Sequence, residues 1–400
     1  MDFQISEDSA PSEFISEEQR RQLVGRPPAS GAWRVGDNLG DRKFSQVFSL
    51  PLESGETLNQ AVLSYETWGE LNAAKSNAVL VLHALTGDSH TTGPSAPGHP
   101  TSGWWGGLIG PGLAIDTNKY FVVTPNVLGG CQGSTGPASL NPKGQEYGPN
   151  FPQLTIKDQA LSFEVLAQQL DVSRWYSIIG GSMAGMHAME MAIRSPQSVE
   201  RLAILAAPPF TTADQIALNT VQLEAIRSDA NFVGGSYYDA KPGFGPHRGL
   251  ALARRMALLN YRSPKELNDR FGRTWQSKVS PLTEAGKYAV ESYLDFHGNK
   301  FVRRFDANSY VTLVNAMNSH DVGRGRDSVE SALEEISCST LVIGVDSDRL
   351  FPLSGQELIA NSISGILHGG QLHVIQSEYG HDGFLIELDA VGKLLEDFLS

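Results

Sequence analysis

Short apolar runs alternate with helical patterns along this chain, and that alternation constrains the fold more than any other feature of the sequence. The runs are rich in Val, Ile and Leu without polar alternation, which is typical of strands buried on both faces. They are AVLVLH (78–83), YFVVT (120–124), YSIIGG (176–181), RLAILA (201–206), TLVIGV (340–345) and LHVIQ (372–376). Helical patterns cover 156–170, 183–194, 355–365 and 387–399. Because strand–helix–strand crossovers lay neighbouring strands side by side, the pattern predicts an α/β fold with a mostly parallel central sheet.

The alternation stops between residues 209 and 325, where the pattern is helical and few strands are predicted. The helical stretches there are DQIALNTVQLEAI, GLALARRMALLNY and AVESYLDF. The α/β pattern resumes at Thr340, so we interpret 209–325 as a helical cap inserted into a core formed by 36–208 and 326–400. Residues 1–35 are polar and acidic without sustained periodicity, and we expect them to form a flexible tail.

Charge and composition restrict the partners of the protein. The chain has 31 basic and 44 acidic residues, a net charge of −13, which argues against nucleic acid or an anionic membrane as the main partner. No apolar run reaches the ~20 residues that span a bilayer, and the first residues lack the features of a secretory signal. Cys131 and Cys338 form no CxxC pair, which fits a reducing cytosol and gives no sign of a metal site. We therefore expect a cytoplasmic protein with no metal, nucleic-acid or membrane partner.

The strongest local signal is Ser182, which lies between an apolar strand and a helical pattern. Gly180 to Ala184 is a G-x-S-x-A variant of the G-x-S-x-G motif. A sharp strand-to-helix turn exposes the serine hydroxyl, and the start of the helix supplies unpaired N–H groups near a developing oxyanion. The alternative interpretation is a glycine-rich turn that carries a solvated serine.

Candidate partners for this serine follow two later strands. A nucleophilic serine needs a base, and the base needs a carboxylate to orient it. Asp346 and Asp348 follow TLVIGV, and His381 follows LHVIQ. Each lies just beyond the carboxyl end of a strand, where α/β sheets place their sites. The order Ser, Asp, His predicts a catalytic triad of Ser182, His381 and one of the two aspartates.

Five segments of the chain resemble the homoserine O-acetyltransferases of the α/β-hydrolase type. They are HALTG (83–87), NVLGGCQGSTGP (126–137), GSM (181–183), SDRLFP (347–352) and GHDGF (380–384). The resemblance covers roughly residues 45–398 and implies an α/β-hydrolase fold. Ala184 departs from the glycine common in the family, and His187 and Met191 also differ from the usual residues.

The resemblance implies a role for each catalytic group. Ser182 would be the nucleophile, His381 the base and Asp348 its orienting carboxylate. The backbone N–H groups of Leu85 and Met183 would form the oxyanion hole. An acetyl group would pass from acetyl-CoA, a co-substrate and not a bound cofactor, to Ser182 and then to homoserine, with ping-pong kinetics.

The acceptor and the assembly are also implied by the resemblance. Arg254 would bind the homoserine carboxylate with Tyr261 nearby, and Asp382 would bind the ammonium group. Arg254 and Tyr261 are seven positions apart, two helical turns, so one helix face would carry both. Family members are commonly dimers through the cap, and apolar stripes in 214–227 and 249–261 allow a homodimer here.

The cap carries a local excess of positive charge. Between Lys241 and Arg273 there are eight basic and two acidic residues. Such a region would attract polyanionic CoA to an acidic protein. An ordinary solvated helix surface or a dimer contact would explain the same charges.

Three other functions remain open from the sequence. A related acyltransferase could use succinyl-CoA as donor, or an acceptor such as serine. A carboxylic-ester hydrolase would share the same catalytic groups. A binding protein without catalysis is the third, although the complete Ser–Asp–His set argues against it.

Overall fold

An eight-stranded sheet organises the chain in the computed structural model, which describes residues 23–283, 285–365 and 372–400. The described strands are β1 (Lys43–Phe44), β2 (Phe48–Pro51), β3 (Thr57–Ala61), β4 (Ser64–Trp68), β5 (Ala78–Leu82), β6 (Ile109–Gly110), β7 (Ile115–Asp116), β8 (Phe121–Pro125), β9 (Ser177–Gly181), β10 (Arg201–Leu205), β11 (Ser339–Val345) and β12 (His373–Ile375). The order in the main sheet is β1-β4-β8-β5-β9-β10-β11-β12. Strand β4 pairs antiparallel with β1 and β8, and the pairs from β8 to β12 are parallel. The predicted mostly parallel sheet is confirmed.

Helices cover the sheet and form the insertion between β10 and β11. The described helices are α1 (Ile156–Gln169), α2 (Met183–Arg194), α3 (Ala213–Arg227), α4 (His247–Tyr261), α5 (Pro264–Phe271), α6 (Ala289–Phe301), α7 (Ala307–Asn318), α8 (Val329–Glu334), α9 (Leu353–Ser362), α10 (Gly383–Ile386) and α11 (Leu388–Leu399). Helices α1, α2, α9 and α11 correspond to the four predicted from the sequence. No helix among the described residues is long and apolar enough to cross a bilayer.

Strand β5 shows why the central runs are apolar at every position. Val79 and Val81 point to the side of the sheet covered by α11, where they cluster with Leu395. Leu80 and Leu82 point to the opposite side and join the cluster that contains α1 and α2. All residues of β5 are buried, as expected for a strand between two helical layers.

His187, one of the departures from the family, joins α2 to α1. Its Nε2–H donates to Gln159 Oε1 at 2.8 Å, while Gln159 donates from its own amide nitrogen to the carbonyl oxygen of Leu128. Burial lowers the pKa of His187 well below its usual value, so the ring is neutral. This residue therefore contributes to helix packing.

Helices α3 to α7 occupy the part of the sequence interpreted as the cap. Helix α4 packs against α3 and α6. Leu223, Leu250 and Phe301 from these helices belong to the same apolar cluster as the helices that cover the sheet. The insertion therefore shares a continuous core with the sheet, and its position close to the carboxyl ends of the strands brings its side chains to the candidate site.

The predicted flexible tail differs from the structure where the two can be compared. Residues 1–22 lie outside the described residues. Within the rest of the predicted tail, Gly31 N–H donates to the Phe305 carbonyl at 3.1 Å, and Trp33 N–H donates to the Cys131 carbonyl at 2.9 Å. The buried Ser30 hydroxyl donates to Asp306 Oδ1 at 2.7 Å. Residues 30–33 are therefore bound to the folded body. The sequence did not predict this, because long-range hydrogen bonds of this kind have no signal in the local sequence.

Candidate active site

Ser182 lies at a strained turn between β9 and α2. Its backbone has φ 60° and ψ −129°, a left-handed conformation that non-glycine residues seldom adopt. The Ser182 N–H donates to the Leu205 carbonyl at 2.9 Å, which fixes the turn to β10. Such strain persists only where the surrounding structure imposes it, and it projects the hydroxyl out of the sheet.

Small residues around Ser182 are required by close packing. A Cβ atom on Gly180 would lie 2.3 Å from the Ala184 carbonyl oxygen, and one on Gly181 would lie 2.4 Å from the Phe384 ring. A Cβ atom on Gly185 would lie 2.5 Å from the Ala207 Cβ. Ala184 itself is fully buried, so the methyl group that departs from the family pattern is accommodated within the core.

Ser182, His381 and Asp348 form one hydrogen-bonded set. The Ser182 hydroxyl lies 2.8 Å from His381 Nε2, and His381 Nδ1 lies 2.7 Å from Asp348 Oδ2. These partners assign the neutral tautomer in which Nδ1–H donates to the carboxylate and Nε2 accepts from the serine. The three residues are 4%, 3% and 7% exposed, respectively. The structure thus brings the predicted triad together, and its catalytic roles stay a prediction.

The two candidate aspartates have different partners. Asp348 Oδ1 accepts from the N–H groups of Leu350 and Phe351 at 2.8 and 2.9 Å, which leaves Oδ2 directed at His381. Asp346 Oδ1 instead accepts from the Ser377 N–H at 2.9 Å, in the segment after β12. The geometry selects Asp348 as the partner of the histidine and gives Asp346 a part in joining two loops.

The surroundings of His381 favour a strong base. Burial by itself would lower the pKa of His381, but the charge and hydrogen bond of Asp348, with the charge of Asp382, raise it above its usual value. The rings of Phe351 and Tyr261 lie 5.1 and 5.7 Å from the imidazole, centroid to centroid. The imidazole is therefore held in place on several sides and can accept a proton from Ser182.

Met183 and Leu85 lie where backbone donors are available. Met183 is the first residue of α2, and the first N–H groups of a helix have no partner within it. Leu85 follows β5 in a turn closed by the hydrogen bond from the Gly87 N–H to the Ala84 carbonyl at 2.9 Å. Both residues are buried. Their assignment as an oxyanion hole stays a prediction.

Arg254 and Tyr261 lie on α4, and the helix places both beside the triad. The Arg254 guanidinium carbon lies 5.6 Å from the centre of the Tyr261 ring and 5.2 Å from that of Phe301. One guanidinium nitrogen lies 3.4 Å from the Thr86 hydroxyl. Arg254 has no carboxylate partner among the described residues, so its charge is available to a ligand.

A cavity of about 240 Å³ lies beside these residues. Its lining joins the turn after β5 to helices α4 and α6. Arg254, Lys300 and Arg304 contribute three cations to the lining, and Asp88 contributes the facing carboxylate. A space of this size with excess positive charge suits a small anionic molecule.

Asp382 has a cationic partner that the sequence did not indicate. One of its carboxylate oxygens lies 3.2 Å from Arg262 Nε, and its side chain is 17% exposed. It follows His381 in a single turn of 3₁₀ helix (Gly380–Asp382). An ammonium group placed there would share Asp382 with Arg262.

The positive region predicted on the cap is partly neutralised. Four of its basic residues form ion pairs: Arg255 with Asp295, Arg262 with Glu266 and Asp382, Lys265 with Asp269 and Glu378, and Arg270 with Glu266. Since these charges are balanced locally, the attraction of CoA to the cap would depend on fewer cations than the sequence suggested.

Among the described residues, one group of potential metal ligands lies outside the triad. Donor atoms of Asp41, Glu66, His90 and His99 lie within 4.8 Å of one another. His90 Nδ1 lies 3.0 Å from Glu66 Oε2, and His99 Nε2 accepts from the Asp41 backbone N–H at 2.9 Å. The two imidazole rings are stacked 3.9 Å apart at 11°. Both ring nitrogens of His90 face oxygen acceptors, since Nε2 also lies 3.2 Å from the Pro94 carbonyl, so the arrangement favours a hydrogen-bonded network.

The structure also brings to the site residues that no sequence pattern indicated. Lys300 and Arg304 line the cavity, and Asp88 is buried opposite Arg304 at 2.9 Å. In the sequence, Arg303 and Arg304 form an ordinary basic pair near the end of a helix. No local pattern distinguishes the arginine that faces the site from the one that faces the surface.

A buried serine on a strand-to-helix turn of a mostly parallel sheet, hydrogen-bonded to a histidine that in turn contacts an aspartate, both on later loops, defines an enzyme of the α/β-hydrolase class. Residues 77–388 match the family model of the alpha/beta hydrolase fold. The homoserine O-acetyltransferase of Leifsonia xyli subsp. xyli is 61% identical over 396 residues, which cover 99% of this chain and 98% of that protein. The homoserine O-acetyltransferase of Thermobifida fusca is 52% identical over 374 residues, 93% of this chain and 97% of that protein. The chain belongs to the homoserine O-acetyltransferase family.

Solved structures show the same relationship. The structure of homoserine O-acetyltransferase from Bacillus anthracis has a TM-score of 0.81 and 29% identity, covering 90% of this chain and 97% of that one. The structure of esterase E22 has a TM-score of 0.79 and 26% identity, covering 90% of this chain and 100% of that one. The resemblance found in the sequence is confirmed, and the same scaffold also carries an esterase.

Proposed function

We propose that this enzyme transfers an acetyl group from acetyl-CoA to the hydroxyl of L-homoserine, a step of methionine biosynthesis, through an acetyl-Ser182 intermediate. The observation that carries the proposal is the Ser182–His381–Asp348 hydrogen-bonded set, with hydrogen bonds of 2.8 and 2.7 Å, beside Arg254, which has no carboxylate partner in the described part of the chain. The family names support the acyl group and the acceptor.

The first half-reaction forms the acyl-enzyme. Ser182 Oγ attacks the thioester carbonyl carbon while His381 Nε2 takes the hydroxyl proton. The carbonyl oxygen becomes an oxyanion, which accepts hydrogen bonds from the N–H groups of Leu85 and Met183. The carbon–sulfur bond then breaks, and His381 returns the proton to the departing sulfur, which leaves as the CoA thiol. Asp348 stabilises the imidazolium throughout.

The second half-reaction runs through the same groups. The homoserine hydroxyl loses its proton to His381 as its oxygen attacks the acetyl carbon on Ser182. When the new tetrahedral centre collapses, the bond to Ser182 Oγ breaks and the proton passes from His381 back to the serine. The products are O-acetylhomoserine and free enzyme, and acetyl-CoA enters as a co-substrate and not as a bound cofactor.

Selection of homoserine over water requires binding groups for an amino acid. The carboxylate would bind Arg254, whose planar guanidinium offers two parallel donors. The ammonium group would bind Asp382, whose carboxylate already lies 3.2 Å from Arg262 Nε. Ser182 is only 4% exposed, which limits the access of water to the acyl group. These features support transfer over hydrolysis on a scaffold shared with an esterase.

A matrix of donors and acceptors tests the proposal. Purified protein is assayed with acetyl-CoA or succinyl-CoA as donor, and with homoserine, serine or water as acceptor. We expect the highest kcat/KM for acetyl-CoA with homoserine. Hydrolysis of acetyl-CoA, with water as the acceptor, should be slower by at least an order of magnitude. Equal rates to water and homoserine would identify an ester or thioester hydrolase, and preference for serine or succinyl-CoA would identify the related acyltransferases.

Arg254→Ala separates the two half-reactions. We expect it to impair transfer to homoserine far more than acetylation by acetyl-CoA, because only the acceptor would lose its carboxylate partner. Loss of a hydrogen bond to a charged group costs about 1.5–3 kcal/mol, roughly tenfold to a hundredfold in kcat/KM for homoserine. The measurement is stopped-flow acetylation followed by deacetylation with homoserine.

The neighbouring Arg255→Ala is the matched control, because Arg255 pairs with Asp295 at 3.1 Å and does not line the cavity. It should leave both half-reactions near wild type. Equal losses in the two half-reactions of Arg254→Ala would mean that Arg254 is structural or contacts the donor.

Assembly and location complete the proposal. We infer a homodimer through the cap, supported by the exposed apolar side chains Val221 on α3 and Leu252 and Leu259 on α4, which are 55%, 45% and 43% exposed. Sedimentation of the purified protein as a single chain would contradict it.

A cytoplasmic location is supported by the buried free thiols of Cys131 and Cys338, which suit a reducing compartment.

A further inference from the structure

Arg304 connects the cap to the turn that follows β5. It lies between α6 and α7, and its guanidinium forms two hydrogen bonds to that turn. Nη1–H donates to the Thr86 carbonyl at 2.9 Å, and Nη2–H donates to Asp88 Oδ2 at 2.9 Å. The side chains of Arg304 and Asp88 are 17% and 10% exposed. Because two fixed donors engage two groups of one turn, the guanidinium restrains both the position and the rotation of that turn.

The partners of Arg304 are themselves fixed. Asp88 Oδ1 accepts from the His90 N–H at 3.0 Å, and the Asp88 carbonyl accepts from Trp104 Nε1–H at 2.9 Å. Burial would raise the pKa of Asp88, but the charge and hydrogen bond of Arg304 lower it below its usual value, so the group is a carboxylate. The Arg304 carbonyl accepts from Gln132 Nε2–H at 2.7 Å. The ion pair is therefore held from both sides.

Leu85 lies inside the restrained turn. The Leu85 N–H and the Ala84 carbonyl belong to the same peptide group. That carbonyl accepts the hydrogen bond from the Gly87 N–H that closes the turn. The Thr86 carbonyl, which shares a peptide group with the Gly87 N–H, is the one bound by Arg304. Fixing the Thr86 carbonyl and the closing hydrogen bond together leaves the Leu85 peptide little freedom to rotate.

We propose that Arg304 is a positioning residue for acyl transfer, which holds the Leu85 N–H in the oxyanion hole through its bonds to Thr86 and Asp88. The inference rests on the proposed function, since it requires Leu85 to be an oxyanion donor. Loss of one oxyanion donor costs about 10²–10³ in kcat. A donor that is retained but loosened should cost less, about tenfold to a hundredfold.

The test uses an uncharged acetyl donor, so that anion binding and positioning are separated. Acetylation of Ser182 by p-nitrophenyl acetate and by acetyl-CoA is measured in wild type, Arg304→Met and Arg304→Lys. Arg304→Met should slow acetylation by both donors about tenfold to a hundredfold, with the KM for the ester near wild type. Arg304→Lys should recover part of the rate, because its ammonium can pair with Asp88 but cannot bridge to the Thr86 carbonyl.

Arg303→Met is the matched control. Arg303 is the adjacent residue, and its guanidinium donates to the carbonyls of Leu23, Val24 and Gly25 on the N-terminal segment, away from the site. It should acetylate within about twofold of wild type, since it leaves the turn after β5 untouched.

Asp88→Asn keeps the proposal testable if Arg304→Met fails to fold. It should reproduce the slow acetylation, and the double variant should be no slower than the slower single variant, because the two residues act as one unit. Ester acetylation at the wild-type rate in Arg304→Met or Asp88→Asn, with weaker use of acetyl-CoA alone, would overturn positioning and make Arg304 an anion contact for the donor. If wild-type Ser182 accepts no acetyl group from either donor, the proposed function fails and this inference falls with it.

Discussion

Acetyl-CoA alone should add one acetyl group to Ser182, and Ser182→Ala should abolish both this adduct and turnover. The hydroxyl is 2.8 Å from His381 Nε2, so its proton has an acceptor at the moment of attack. Removal of the nucleophile from a serine protease lowers kcat by about 10⁶-fold, and we expect a loss of the same order here. Intact-mass measurement after rapid quenching of the enzyme with acetyl-CoA detects the adduct.

Ser195→Ala is a suitable control, because Ser195 follows the last residue of α2 and lies far along the helix from Ser182. Its adduct and its turnover should match those of wild type. A wild-type enzyme that turns over without any detectable acetyl-enzyme would indicate direct transfer between the substrates. The ping-pong mechanism would then be wrong, although the family membership would be unaffected.

The parts of this protein that could be predicted from sequence depend on local patterns. The strands before Ser182 and Asp348 are short apolar runs, and burial on both faces of the sheet requires that composition. The strand before His381 lies at the edge of the sheet and is only partly buried. The parallel sheet then places the ends of these strands at one edge, so residues far apart in sequence meet there. The glycines around Ser182 also form a local pattern that indicates the strand-to-helix turn, because the turn leaves no room for a side chain at Gly181.

Contacts between the cap and the sheet had no such signal. The ion pair of Arg262 with Asp382 joins the cap to the histidine loop, and that of Arg304 with Asp88 joins it to the turn after β5. Each requires two segments that are remote in sequence to pack in one particular way. A cluster of basic residues in the cap was visible, but the carboxylates that neutralise part of it could not be assigned before the helices were placed.

The choice between Asp346 and Asp348 could not be made from residue types and spacing alone. Both follow the same strand, and only the family resemblance favoured the second. The structure separates them by backbone hydrogen bonds: two N–H groups orient Asp348 towards His381, and one from Ser377 engages Asp346. Side-chain direction in a loop depends on such donors, which are set by tertiary structure.

Asp348→Asn should lower kcat by several orders of magnitude while the protein stays folded. The carboxylate accepts from His381 Nδ1–H at 2.7 Å and so keeps Nε2 free to take the serine proton. An asparagine amide can donate to Nδ1 instead, which leaves the ring in the wrong tautomer. The same change in a serine protease costs about 10⁴ in kcat. Steady-state assays with acetyl-CoA and homoserine, together with circular dichroism, measure the two quantities.

The pH dependence of the variants distinguishes this role from a structural one. His381 must be neutral to act as a base, and its pKa is raised, despite burial, chiefly by Asp348. The acid limb of kcat/KM in wild type should therefore lie above the usual histidine pKa of about 6.5, with activity lost as the pH falls through it. Asp348→Asn removes the charge that raises this pKa, so its residual activity should persist to lower pH.

Asp346→Asn retains an oxygen that accepts from the Ser377 N–H, and it should keep kcat within about tenfold of wild type and an unshifted acid limb. A larger loss in Asp346→Asn than in Asp348→Asn would refute the assignment of the acid, while the contact between Ser182 and His381 would stand.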